Sequence, residues 1–105
     1  MAANHRTTIE VAGPPQAVEA AVFQAFMAAG LTGVRGGGGV MHGSVPTGWR
    51  SWGENVTATV GFGPAGSLVT LVSECAMPTQ LLDWGKNRAN VERIVAQLRA
   101  LVPVL

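Results

Sequence analysis

The run from Ser73 to Asn90 constrains the fold of this chain more than any other stretch. Strand-like residues reach Ala76, Pro78 ends the run, and a polar segment with Asp83, Trp84, Gly85 and Lys86 follows. Val91, Ile94, Val95, Leu98, Leu101 and Val102 then recur at helical spacing until Pro103. A strand joined by a short elbow to a closing amphipathic helix requires a sheet with one face free to receive that helix. Asn87 is the expected N-cap, since its side-chain oxygen can accept from the free N–H groups of the first turn. Trp84 is the expected anchor of the elbow.

Upstream, Thr7 to Val11 alternates in the manner of a first strand, with residues 1–6 read as a disordered terminus and 7–105 as a single domain. Gly13-Pro14-Pro15 ends that strand. Val18, Ala21, Val22, Ala25, Phe26 and Ala29 mark one helical face that closes at Gly30, and Phe23 and Met27 extend it into a wide buried arc. Gly36 to Gly39 carries no side chains to pack, so a strand is expected from about Val40, broken near Gly37 if it begins earlier. Val56, Ala58, Val60 and Phe62 alternate with Thr57 and Thr59, Gly63 to Gly66 reads as a hairpin, and Leu68 to Cys75 as the next strand. The expected fold is therefore α+β: a two-layer sandwich of about four antiparallel strands with two helices on one face, in the order β-α-β-β-β-α.

Charge narrows the function. Seven basic against six acidic side chains leave a formal charge of +1, and charged residues make up 12% of a chain that is 48% hydrophobic. Broad capture of nucleic acid needs many phosphate contacts, and RNA-reading sheets need paired aromatics; neither pattern is present. Lys86, Arg88, Arg93 and Arg99 gather on the last helix, which reads first as a solvated face and second as a weak membrane-surface patch. Cys75 is alone and reads as a small buried hydrophobe, so no internal disulfide or cysteine-based metal site is expected. No secretory leader or membrane span is read, and the expected location is cytoplasmic.

The glycine run lacks the strand-before, helix-after context and the Gly-Lys-Ser/Thr ending of a phosphate loop, so it reads as a bending element. His42, Glu54, Glu74, Asp83, Ser44, Ser51 and Ser73 make no nucleophile–base–orienter spacing, and Glu54 and Glu74 read as partners for Arg35 or Arg50. The candidate ligand-binding residues are Met41, His42, Trp49, Trp52 and Phe62, grouped around the glycine-rich segment. No catalytic residue, metal ligand or cofactor is assigned.

Ser73 followed by Asp83-Trp84-Gly85-Lys86-Asn87, with Arg88 and Asn90 at the start of the helix, resembles the tail of small bacterial α+β domains of the DUF1499 type. The resemblance covers the final third. It implies a bacterial α+β domain and carries over no catalytic residue.

With sparse charge and helices on one side, the other sheet face is expected to be covered. The leading reading is a non-catalytic binding or self-association module, closed by a second copy or a protein partner, or holding a small apolar or amphipathic ligand. The alternative is a small enzyme with a pocket near His42 and the glycine segment, supported by Glu54 or Ser44.

Overall fold

The computed structural model describes residues 4–46, 53–76 and 85–105. Its elements are β1 (Asn4–Val11), α1 (Pro15–Ala28), β2 (Thr32–Gly37), β3 (Val40–Val45), β4 (Glu54–Phe62), β5 (Ser67–Cys75) and α2 (Lys86–Arg99). The strands form one antiparallel sheet in the order β1-β5-β4-β3-β2, and both helices pack on the same face. The α+β two-layer class thus stands as the alternation predicts, with one strand more than expected.

That extra strand comes from the glycine run. Gly38 and Gly39 both take positive φ, 65° and 90°, and form the two-residue connection of a β2–β3 hairpin whose flanking pair is Gly37 and Val40. A tight turn of this kind needs left-handed backbone at both central residues, which glycine supplies without a Cβ penalty. Strand structure therefore begins at Thr32, on both sides of the expected break. β1 also starts earlier than alternation suggests. Asn4, His5 and Arg6 pair with Glu74, Ser73 and Val72, so these three residues belong to the sheet and not to a disordered terminus.

Inner-face residues alternate along the strands, and the helices close over them. Val11, Met41, Val56, Ala58, Val60, Val69 and Leu71 meet Val18, Val22, Ala25 and Phe26 of α1 and Val91, Ile94 and Leu98 of α2 in one core. Two apolar expectations need correction. Phe23 and Met27 are 40% and 56% exposed, because the buried arc of α1 is spent on Val18, Val22, Ala25 and Phe26 and their line points past the sheet. Leu101 is also exposed, since α2 ends at Arg99.

The outer face is not a bare apolar surface. Thr8 and Thr70 share a hydrogen bond of 3.0 Å, Thr57 meets His42 Nδ1 at 3.3 Å, and Ser44 donates to Asn55 Oδ1 at 3.3 Å. Cross-strand polar pairs of this kind suit a solvated sheet face.

The hairpin yields a paired prediction. A Cβ on Gly36 would collide with the Val40 carbonyl oxygen and lie 2.7 Å from Met41 Cα, whereas one on Gly37 would meet nothing within 4 Å. Gly36→Ala is expected to destabilise the protein by about 1–3 kcal/mol, and Gly37→Ala to stay within about 0.5 kcal/mol of the parent. Urea unfolding of the two variants checks this contrast.

Candidate functional site

A connected polar network lies under the first turns of α2. Glu54 opens β4 on the inner face, opposite Cys75 in the β4–β5 register, and Ser73 sits one inner position further along β5. Asn87 and Asn90 are three residues apart, so one helix face presents both to the strands. All four polar residues, Glu54, Ser73, Asn87 and Asn90, are buried. Ser73 Oγ donates to Asn87 Oδ1 at 2.8 Å and accepts from Asn90 Nδ2 at 3.2 Å. Asn90 Nδ2 also donates to Glu54 Oε1 at 2.8 Å, and Asn87 Nδ2 approaches Cys75 Sγ at 3.5 Å. Arg93 donates from Nη2 to Asn90 Oδ1 at 3.3 Å and from Nε to the Ala29 carbonyl at 3.1 Å.

The directions of these bonds decide what the network can do. Burying a carboxylate or an amide is costly unless its hydrogen bonds are made, and here each group donates to or accepts from a neighbour. Ser73 gives its proton to an amide oxygen and not to a base, and the Cys75 thiol meets an amide, so no activated nucleophile results. Among the described residues no three His, Cys, Asp or Glu side chains cluster as a metal site. The arrangement fastens α2 to the sheet.

Several expectations change at this point. Asn87 is not the helix cap: Gly85, at φ 74°, holds that position, and the Asn87 side chain turns inward because Ser73 and Cys75 offer it partners. Glu54 does not answer Arg35, since inner-face parity puts it against Asn90, and Arg50, the other expected partner, lies outside the described residues. Cys75 is buried as expected, but against an amide. Of the basic residues on α2, Arg88 pairs with Glu92 at 2.7 Å and Arg93 reaches inward, so the four cations do not share one patch.

Space for a ligand lies on the helix side. A cleft of about 500 Å³ runs between β1 and α2, lined by Thr7, Ile9, Val91, Glu92, Val95, Ala96 and Arg99. A second, of about 420 Å³, sits where Pro15, Gln16 and Glu19 of α1 face Gly38, Gly39, Val60, Gly61 and Phe62. There Glu19 Oε2 accepts from the Gly39 N–H at 2.6 Å and holds the glycine turn against α1.

The expected binding residues do not converge. Met41 is buried in the core beneath α1, His42 is half-buried on the outer face, and Phe62, 87% exposed, stands at the end of β4 beside the second cleft. Consecutive strand residues point to opposite faces, so Met41 and His42 cannot line one groove. For the same reason the cleft at the glycine turn and His42 lie on opposite sides of the sheet; Ser44 is on the outer face and Glu54 is in the α2 network. Among the described residues, His42, Glu54 and the glycine turn do not come together in one pocket. Trp49 and Trp52 lie outside the described residues. The β1–α2 cleft was missed because its lining comes from strand and helix residues that look like ordinary core positions. The i, i+3 asparagines, polar residues on the apolar stripe of α2, were the visible signal for the network.

Because Ser73 and Asn87 are buried against one another, Ser73→Ala and Asn87→Ala are each expected to cost about 1–3 kcal/mol, and the double variant less than their sum. A double-mutant cycle by urea unfolding measures that coupling.

No family model matches the chain, and no curated protein matches it. Among solved structures it is similar to the crystal structure of Ara h 8.0201, with a TM-score of 0.51 and 11% identity over 96% of this chain and 97% of that one. This corrects the DUF1499 resemblance. That likeness rested on a short turn, of which Asp83 and Trp84 lie outside the described residues, whereas the structural match spans nearly the whole chain. At that identity the likeness speaks for architecture alone, an antiparallel sheet with its helices on one face.

Proposed function

We propose that this chain is a non-catalytic binding module that takes a small amphipathic ligand in the cleft between β1 and α2. The observation that carries the proposal is the composition of that cleft. Ile9, Val91, Val95 and Ala96 supply apolar surface, and Thr7, Glu92 and Arg99 supply polar groups. Ligand sites commonly combine apolar walls with a few polar groups that orient the bound molecule.

Charge favours one kind of head group. Glu92 is engaged by Arg88, whereas Arg99 makes no ion pair among the described residues. An anionic or strongly hydrogen-bonding head suits Arg99 and Thr7, with an apolar tail along Ile9 and Val95. Burying about 200 Å² of apolar ligand surface supplies about 5 kcal/mol before the costs of association, enough for reversible binding.

The test uses anilinonaphthalene sulfonate as a fluorescent probe and dodecanoate as competitor. Ala96→Trp, which places an indole in the cleft from an exposed helix position, is expected to weaken probe binding at least about tenfold. Arg99→Gln is expected to weaken dodecanoate about 3-fold to 10-fold while sparing dodecanol, in keeping with loss of one charge-assisted contact. Probe binding unchanged by Ala96→Trp would overturn the assignment of the cleft.

A further inference from the structure

The two edges of the sheet are treated differently. At the β1 edge the chain's own tail intervenes: Ala12 N–H donates to the Pro103 carbonyl at 2.9 Å, Leu105 N–H to the Glu10 carbonyl at 2.8 Å, and Val11 bridges Val104. That strand also carries Arg6 and Glu10, and charge on an edge discourages pairing with another strand. At the opposite edge β2 is exposed except at Val34, which is half-buried. Its sole charged residue, Arg35, turns back along its own strand and donates to the Gly33 carbonyl at 3.0 Å.

Directly beside β2 runs the exposed stripe of α1. Phe23 and Met27 are one helical turn apart, and Phe23 shares a cleft of about 400 Å³ with Ala20, Gln24, Gly36 and Met41. From Ala20 through Val34 the sequence contains no charged residue, a run that covers the rear of α1, the connection and the start of β2. Apart from Arg35 on β2 and Glu19 at the end of that cleft, this surface carries no charge, and among the described residues it combines an unpaired strand edge with an apolar helix stripe.

We infer that this surface binds a second copy of the chain through a two-fold axis that sets β2 antiparallel to its counterpart. An axis perpendicular to the sheet keeps both helix layers on the same side, so the Phe23–Met27 stripes approach each other while the strands pair. The surface is self-complementary: the edge offers both N–H donors and carbonyl acceptors, and the stripe offers apolar area to an identical stripe. A net charge of +1 brings little repulsion between copies. A standard interface takes about 800 Å² per partner, about one-seventh of the 5819 Å² accessible surface, an area that a six-residue edge and the rear half of α1 can supply together. This interface is independent of the β1–α2 cleft, which lies at the opposite edge of the sheet.

Sedimentation equilibrium from micromolar to submillimolar concentration tests the inference, together with amide hydrogen exchange at both extremes. A dimer is expected, with the Val34–Gly37 amides exchanging more slowly at high concentration. Met27→Glu, at an exposed position that folding does not need, is expected to raise the dissociation constant about tenfold or more, because pairing would bury an unpaired carboxylate. Gln24→Arg, on the same exposed side of α1, is expected to act in the same direction, and Thr59→Lys on the outer face to have no effect. A protein monomeric at every concentration overturns the inference. So does a dimer that withstands Met27→Glu, or one whose β2 amides exchange as fast as in the monomer.

Discussion

A single chain of hydrogen bonds ties the two layers of this molecule together. It starts at the carbonyl of Ala29, the C-cap of α1, passes through the Arg93 guanidinium to Asn90, and divides there to Glu54 on β4 and Ser73 on β5. From Ser73 it continues to Asn87 and to the sulfur of Cys75. Apolar burial alone would let a short helix slide or rotate over a sheet of valines and alanines, since the hydrophobic effect has no direction. Hydrogen bonds to two neighbouring strands leave one setting of α2 in which every buried group is satisfied. The seating of α2 in turn determines the width of the gap to β1, where the proposed ligand site lies.

This constraint explains why polar residues occupy positions that periodicity assigns to the core. Asn87 and Asn90 share the inward face of α2 with Val91 and Ile94, and Glu54 and Ser73 share the inward faces of β4 and β5 with Val56 and Leu71. Replacing one partner would leave its buried neighbours each short of one bond, so the cluster is sensitive to single changes in a way that the neighbouring valines are not. The lower half of α2, with Ile94 and Leu98, then needs only shape and area to complete the contact with the sheet.

Much of the architecture was legible from periodicity. The apolar stripes of both helices, the Val56–Phe62 alternation and the Gly63–Gly66 hairpin each arise from local geometry, and the structure places them accordingly. Legibility failed where a residue's role depends on what lies across from it in space. Asn87 has the chemistry of a cap, but Ser73 and Cys75 opposite it draw its side chain inward. Glycine repeats give no alternation, so the β2–β3 hairpin could be seen only through the positive φ of Gly38 and Gly39 and the partners on either side. Phe23 and Met27 carry a core-like spacing, yet the sheet ends at β2 before their line can be covered. The binding residues suffered most, because Met41, His42 and Phe62 are near one another in sequence or register but are divided among the core, the outer face and a strand end.

The same edge effect connects packing to partner choice. A five-stranded antiparallel sheet has two edges, and a chain of this size has limited means to protect both. Its tail closes one by hydrogen bonds to β1, at a position where Val104 also joins the margin of the core. The other is built from glycine, threonine, a half-buried valine and a single arginine, with an apolar helix stripe at its side. Gly36 has no room for a Cβ beside the Val40 and Met41 backbone, Gly38 and Gly39 make the turn, where Glu19 holds the Gly39 N–H, and that same lack of side chains leaves the outer backbone open. The residues that let the hairpin form are therefore the ones that leave a strand without a neighbour. The cost of that exposure is lowest if the missing neighbour is identical, since every copy brings its own complement in equal amount.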